Sequence, residues 1–215
     1  MSHGAHPTPH VQHHFATAEQ QYESSKLGLW LFLVTEILLF GGLFVAYIMY
    51  RGLYPDLFHE ASGHLNRILG CVNTVVLISS SWTMAMAVRC TQRNDANKAN
   101  QFLMGTFFFA ALFLIVKYVE YAHKFHEGLL PGAYFTNAHF AHPKAALFFS
   151  LYFMMTGLHG VHVAVGMGLI AWVWRRSNKG HFSAAYATPV EMTGIYWHLV
   201  DLIWIYLFPL LYLIG

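Results

Sequence analysis

Of 215 residues, 56% are apolar, 17% aromatic and only 10% charged, against about 25% charged in an ordinary soluble domain, and this excludes a water-soluble globule. Twelve Lys and Arg against ten Asp and Glu leave a net charge of +2, and no basic run exceeds the pair Arg175, Arg176. A nucleic-acid partner is therefore excluded as well.

Residues 1–26 hold His3, His6, His10, His13 and His14 and read as a solvated, His-rich tail, with weak metal chelation as the alternative. No positively charged start, short apolar core and small-residue cleavage site opens the chain, so the first apolar span is expected to serve as the insertion signal. Five apolar runs follow, at about 27–50, 68–88, 102–121, 145–174 and 192–214. About 20 apolar residues cross the hydrocarbon as a helix, and runs without alternating polarity fit helices and not barrel strands. The predicted fold is all-α, one integral membrane domain of five transmembrane helices over 27–215. The fourth span is long enough to tilt or project, and Pro209 is expected to bend the fifth. Cys71 and Cys90 fall at opposite ends of the second span, about 28 Å apart at about 1.5 Å per residue, too far to bridge.

The segments before the first span, after the second and after the fourth carry Lys26, Arg89, Arg93, Lys98, Arg175, Arg176 and Lys179. The opposite side has Arg51, Arg67, Lys124 and Lys144. The positive-inside bias then puts the N-terminus in the cytoplasm and the C-terminus outside.

Ionisable groups within the hydrocarbon cost several kcal/mol unless paired or turned inward, so Glu36, Lys117, Glu120, His159, His162, His198 and Asp201 are the functional candidates. Glu36, His162 and Asp201 each fall about 4 Å to the cytoplasmic side of their span's centre, which predicts a buried Glu36–His162 pair. Lys117 and Glu120, three apart, form an expected ion pair nearer the outer surface. Glu191, Gly194, His198, Asp201 and Ile205 line one stripe of the fifth span, which is expected to face protein. Gly157, Gly160, Ala164 and Gly168 form a small-residue stripe on the fourth, expected at a close helix contact. His159, His162 and His198 also permit a bis-imidazole haem site, which leaves a membrane haem protein as a reading of another class. No other metal site is expected.

The blocks KLGLWLFLVTEILLFGGLFVAY from Lys26, NTVVLISSSWTMAMA from Asn73, VEYAH from Val119, FFSLYFMMTGLHGVHVAVG from Phe148 and VEMTGIYWHLVDLIWIYLFPLLYL from Val190 resemble subunit III of the haem-copper respiratory oxidases. The chain looks like the five-helix bacterial form. The resemblance implies an accessory subunit without redox centres, with haem and copper in partner subunits, in a bacterial inner-membrane complex that reduces oxygen with electrons from cytochrome c. A quinol oxidase or a nitric oxide reductase system remains the alternative. It further implies subunit I as direct partner, subunit II in the same complex, support of proton uptake, and phospholipid bound in a V-shaped cleft between the first two helices and the last three. The family's buried carboxylate matches Glu36 and its histidine in the TGxHGxHV block matches His162. Lys117 stands where a neutral amide is more usual. Trp30, Arg89, Arg93, Arg175, Arg176 and Lys179 are the expected lipid-binding residues at the cytoplasmic rim.

Overall fold

A computed structural model describes residues 12, 14–131, 135, 144–184 and 186–213. The tail histidines up to His13, and His139 and His142 in the loop before the fourth span, lie outside the described residues.

Five of the described helices are long and apolar enough to cross a membrane. Helix α1 runs Ala18–Leu53, beginning nine residues ahead of the apolar run. Thr17 caps it, its hydroxyl accepting from Gln20 N–H at 3.1 Å, and no Gly or Pro interrupts the polar turns from Ala18 to Lys26, so the helix continues beyond the membrane segment. Helix α2, Pro55–Gly63, starts on a proline and buries Leu57, Phe58 and Ala61. It is too short to span a membrane. Helix α3, Arg67–Gln92, is capped by Asn66, whose side-chain oxygen accepts from Ile68 and Leu69 N–H. Asp95 caps α4, Ala96–His126, in the same way through Lys98 N–H. Helix α5, Ala145–Asn178, has 34 residues, about 51 Å at 1.5 Å each, and so projects beyond a hydrocarbon layer of about 30 Å. Helix α6, Thr188–Phe208, ends at Pro209, which has no N–H to continue the α-helical ladder, and a π-helical turn, Pro209–Leu213, follows.

Helices α3, α4, α5 and α6 pack on one another, whereas α1 packs on α2, α5 and α6. The expected grouping of the first two spans against the last three is therefore corrected, because α3 belongs with α4–α6. Polar side chains explain it. Trp197 N–H donates to the Ser80 hydroxyl at 3.0 Å and Trp204 N–H to that of Thr74 at 3.1 Å, while the Thr83 and Thr106 hydroxyls meet at 2.9 Å. Lipid supplies no such partners. Helix α1 offers fewer, burying only Leu33, Glu36, Phe40 and Tyr47.

The small-residue stripe of α5 is also corrected. A Cβ at Gly157 would stand 3.8 Å from the Tyr121 hydroxyl of α4, an ordinary contact, but none of the neighbouring heavy atoms lies within 4 Å of one at Gly160 or Gly168, and Ala164 is exposed. The close contact falls at Gly166, where a Cβ would stand 2.7 Å from the Trp197 ring and 3.2 Å from that of Tyr196. A large partner side chain, not a second small one, occupies the space a missing Cβ leaves. Gly166→Ala is expected to cost about 1–3 kcal/mol through overpacking, and Gly168→Ala to be neutral or stabilising. Unfolding in mixed micelles titrated with dodecyl sulfate compares the two.

Candidate functional site

Helix α1 presents Glu36 to His162 of α5, with Glu36 Oε2 2.7 Å from His162 Nε2. The other ring nitrogen, Nδ1, lies 2.8 Å from the Leu158 carbonyl oxygen, one turn back. A carbonyl oxygen only accepts, so Nδ1 carries a hydrogen and Nε2 is bare in the neutral ring. The 2.7 Å contact with Glu36 is then attractive only if one more proton lies between the two groups. The pair is thus a single-proton site, either carboxyl against imidazole or carboxylate against imidazolium. Phe40 packs edge-on against the His162 ring, and the Tyr196 hydroxyl donates to the His162 carbonyl at 3.0 Å.

This pair lies at the polar floor of an otherwise apolar groove of about 460 Å³ between α1, α5 and α6, lined by Phe32, Val161, Val165, Leu169, Met192 and Tyr196 among others. A hydrocarbon chain fits such walls, and the single proton site is the chemistry the groove offers.

Asp201, expected at the same depth, is not joined to the pair. It is 3% exposed and turned toward Ser81 of α3, which itself lies 2.6 Å from His198 Nδ1. Most of the polar stripe of α6 meets α3. Glu191 accepts from the Gln92 amide at 2.7 Å, and a Cβ at Gly194 would stand 3.0 Å from Val88. Ile205, at the end of that stripe, is exposed.

Lys117 and Glu120 form a buried ion pair at 2.9 Å. Lys117 Nζ also donates to the Tyr152 and Tyr212 hydroxyls at 3.1 Å each, and these donate to Glu120 Oε1 at 3.0 and 2.6 Å. All three ammonium protons and both carboxylate oxygens are used. The Tyr121, Tyr152, Trp204 and Tyr212 rings surround the ammonium at 5.2–5.7 Å, adding cation–π attraction.

At the rim nearer the N-terminus, Arg89, Arg93, Arg175, Arg176 and Lys179 are all exposed, as is Trp30 on α1. Arg175 and Trp174 border a second apolar groove, between α4 and α5, with Leu103, Met104, Phe107 and Ile170. Arg176 instead lies over the Trp172 ring at 4.8 Å. Asn94, in a left-handed turn at φ 59°, accepts from Ala184 N–H at 2.7 Å and ties together the loops after α3 and α5.

His159, His162 and His198 do not converge: His162 engages Leu158 and Glu36, His198 engages Ser81, and the His159 ring packs against Phe113 and Trp204. Among the described residues, no group of three or more His, Cys, Asp or Glu is placed to hold a metal ion. Cys71 and Cys90 are free. Sequence reasoning missed Tyr152, Tyr196 and Tyr212. Each lies on a spanning segment and carries a hydroxyl that lipid cannot satisfy, a signal that was present but outweighed by aromatic composition.

The family described as cytochrome c oxidase subunit III matches residues 10–215. Cytochrome c oxidase subunit 3 of Thermostichus vulcanus is 36% identical over 189 residues, covering 87% of this chain and 86% of that protein. The protein of the same name from Synechocystis sp. is 37% identical over 188 residues, covering 87% and 74%. Quinol oxidase subunit 3 of Bacillus subtilis is 28% identical over 216 residues, covering 96% and 97%.

Proposed function

Because the chain belongs to the cytochrome c oxidase subunit III family, we propose that it works without a redox centre of its own, holding subunit I in its active form and sustaining proton uptake while the complex reduces oxygen. It is an accessory subunit of a haem-copper oxidase and a multi-pass membrane protein. In the proposed arrangement haem and copper sit in partner subunits, subunit I is the direct neighbour and subunit II completes the complex. The membrane is the bacterial inner membrane, with the N-terminus cytoplasmic, as the distribution of Lys and Arg supports.

The observation that carries the proton role is the Glu36–His162 pair, a single-proton site facing an acyl-sized groove. Removing the whole chain is expected to leave a complex that begins at normal speed and inactivates during turnover, whereas Glu36→Gln keeps assembly and initial oxygen consumption. Oxygen-electrode traces over prolonged turnover check both, and undiminished activity in the complex lacking this chain refutes the role.

Cytochrome c is the proposed electron donor, supported by 36% and 37% identity to relatives of that name against 28% to a quinol oxidase subunit. The quinol reading is favoured by the longer alignment of that last relative, over 96% of the chain. Oxidation of reduced cytochrome c or of a quinol by the purified complex separates them.

Phospholipid is proposed in the groove between α1, α5 and α6 and in the one between α4 and α5. In the second, Arg175 is placed to meet an anionic head group. Changing Arg175 and Arg176 together to Gln is expected to reduce the phospholipid retained after gentle extraction, as read by native mass spectrometry. Equal retention removes those two residues from the site.

A further inference from the structure

His198 stands within the hydrocarbon on a face that the described residues leave half open. On α6 it lies about 8 Å to the cytoplasmic side of its span's centre, and Ser81 of α3 lies about 5 Å to the same side, whereas the hydrocarbon reaches about 15 Å from its midplane. Both residues are half-buried. Ser81 Oγ lies 2.6 Å from Nδ1 of the ring, but the other ring nitrogen, Nε2, has no hydrogen-bond partner among the described residues and is not among the polar atoms shut away inside the chain. Neither residue lines the two apolar grooves described above.

Hydrogen-bond accounting gives the chemical character of that free nitrogen. If Ser81 donates across the 2.6 Å contact, Nδ1 is bare and the neutral ring carries its hydrogen on Nε2. If the ring donates instead, the Ser81 hydroxyl is free to turn to Asp201, whose carboxyl oxygens have no partner at bonding distance. Hydrocarbon tolerates a carboxylate there only against a positive charge, and His198, three residues earlier on the same helix, supplies it as imidazolium, again with a hydrogen on Nε2. A protonated Asp201 in that second arrangement would leave its own hydrogen orphaned. Nε2 is thus a donor at the surface of the chain.

A donor at this depth needs an oxygen acceptor, and the bilayer has none, because the ester and phosphate oxygens of lipid begin at the edge of the hydrocarbon. A second copy of this chain is equally unsuited: a twofold contact would set Nε2–H against Nε2–H. The surrounding surface suits a helix. Ile78 and Ala85 flank Ser81, and Ile195 and Leu202 flank His198, at steps of three and four along each helix, and all four are exposed, so that an apolar rim surrounds one polar centre.

We propose that Nε2 of His198 docks a transmembrane helix of a neighbouring oxidase subunit, through a hydroxyl, carboxyl or carbonyl oxygen that this helix carries at the same depth. Ser81 holds the ring in place through Nδ1, and the hydrogen of Nε2 passes to the partner's oxygen. The docking surface is the ridge of α3 and α6 on which Ile78, Ala85, Ile195 and Leu202 stand exposed. It rests on the accessory-subunit reading above and adds the residue that makes the contact and the chemistry its partner must offer.

The test uses the complete oxidase complex, with the photoreactive p-benzoylphenylalanine in place of Leu202, one turn from His198 on the same face. Illumination is expected to join this chain to another membrane-spanning subunit. An adduct with lipid alone, with a quinone or with a second copy of this chain overturns the contact. His198→Phe, which keeps a ring without a donor, is expected to leave the complex at a dilution in micelles about three to ten times lower than the native chain does, the worth of one interhelical hydrogen bond. His198→Gln, whose amide nitrogen reaches the place of Nε2, is expected to stay within about twofold of native. Equal release of native protein and His198→Phe overturns the contact, and so does a loss in His198→Gln as large as in His198→Phe, which marks the ring as packing alone. Should His198→Phe fail to assemble, the photochemical adduct decides. A chain that copurifies with no haem-bearing subunit refutes the accessory-subunit reading itself, whereas firm retention of His198→Phe in an intact oxidase refutes this contact alone.

Discussion

Lys117→Met is expected to loosen α4 from α5 and from the C-terminal turn by about 3 kcal/mol, the low end for breaking a buried pair. The loss is mostly the cost of Glu120 left in the interior with only the two tyrosine hydroxyls against it. The double variant Lys117→Met with Glu120→Leu removes both charges and is expected to recover most of that loss, since an apolar replacement of a buried pair is often neutral. Unfolding midpoints in mixed micelles measure both. A double variant as unstable as the single one shows that the tyrosine cage, and not the uncompensated carboxylate, sets the cost.

Trp197→Ala is the second large effect, expected at about 3 kcal/mol. The value is the low end for a buried tryptophan, because lipid already solvates apolar surface and only packing and the indole bond are lost. Trp197 is fully buried, donates to Ser80 of α3 and fills the space opposite Gly166 of α5. Its removal therefore weakens three helices at once. Ser80→Ala, which leaves the indole N–H unpaired, is expected to cost about 1–2 kcal/mol. If both variants retain the native midpoint, α3, α5 and α6 are held together elsewhere.

Much of the site was legible in the chain alone because the bilayer imposes a one-dimensional rule. A helix rises about 1.5 Å per residue along the membrane normal, so sequence position converts to depth. Glu36 and His162 fall at one depth by this rule, and the structure places them 2.7 Å apart. Depth says nothing of the direction a helix faces, however. Asp201 shares the depth and looks instead toward Ser81.

Composition and spacing along the chain were enough to show that it lies in a membrane, that it has five spans, which ionisable groups the hydrocarbon would force inward, and that Lys117 and Glu120 would pair across one helical turn. Each follows from local composition or from spacing within one helix. Tertiary packing was needed to establish that α3 joins α4–α6 while α1 stands aside, that Gly166, and not Gly160, Ala164 or Gly168, takes a ring, and that Tyr152 and Tyr212 close the Lys117 network. Those outcomes depend on the rotation of each helix about its axis. In lipid that rotation is set by side-chain packing and interhelical hydrogen bonds between residues distant in sequence, and not by an apolar face turning away from water.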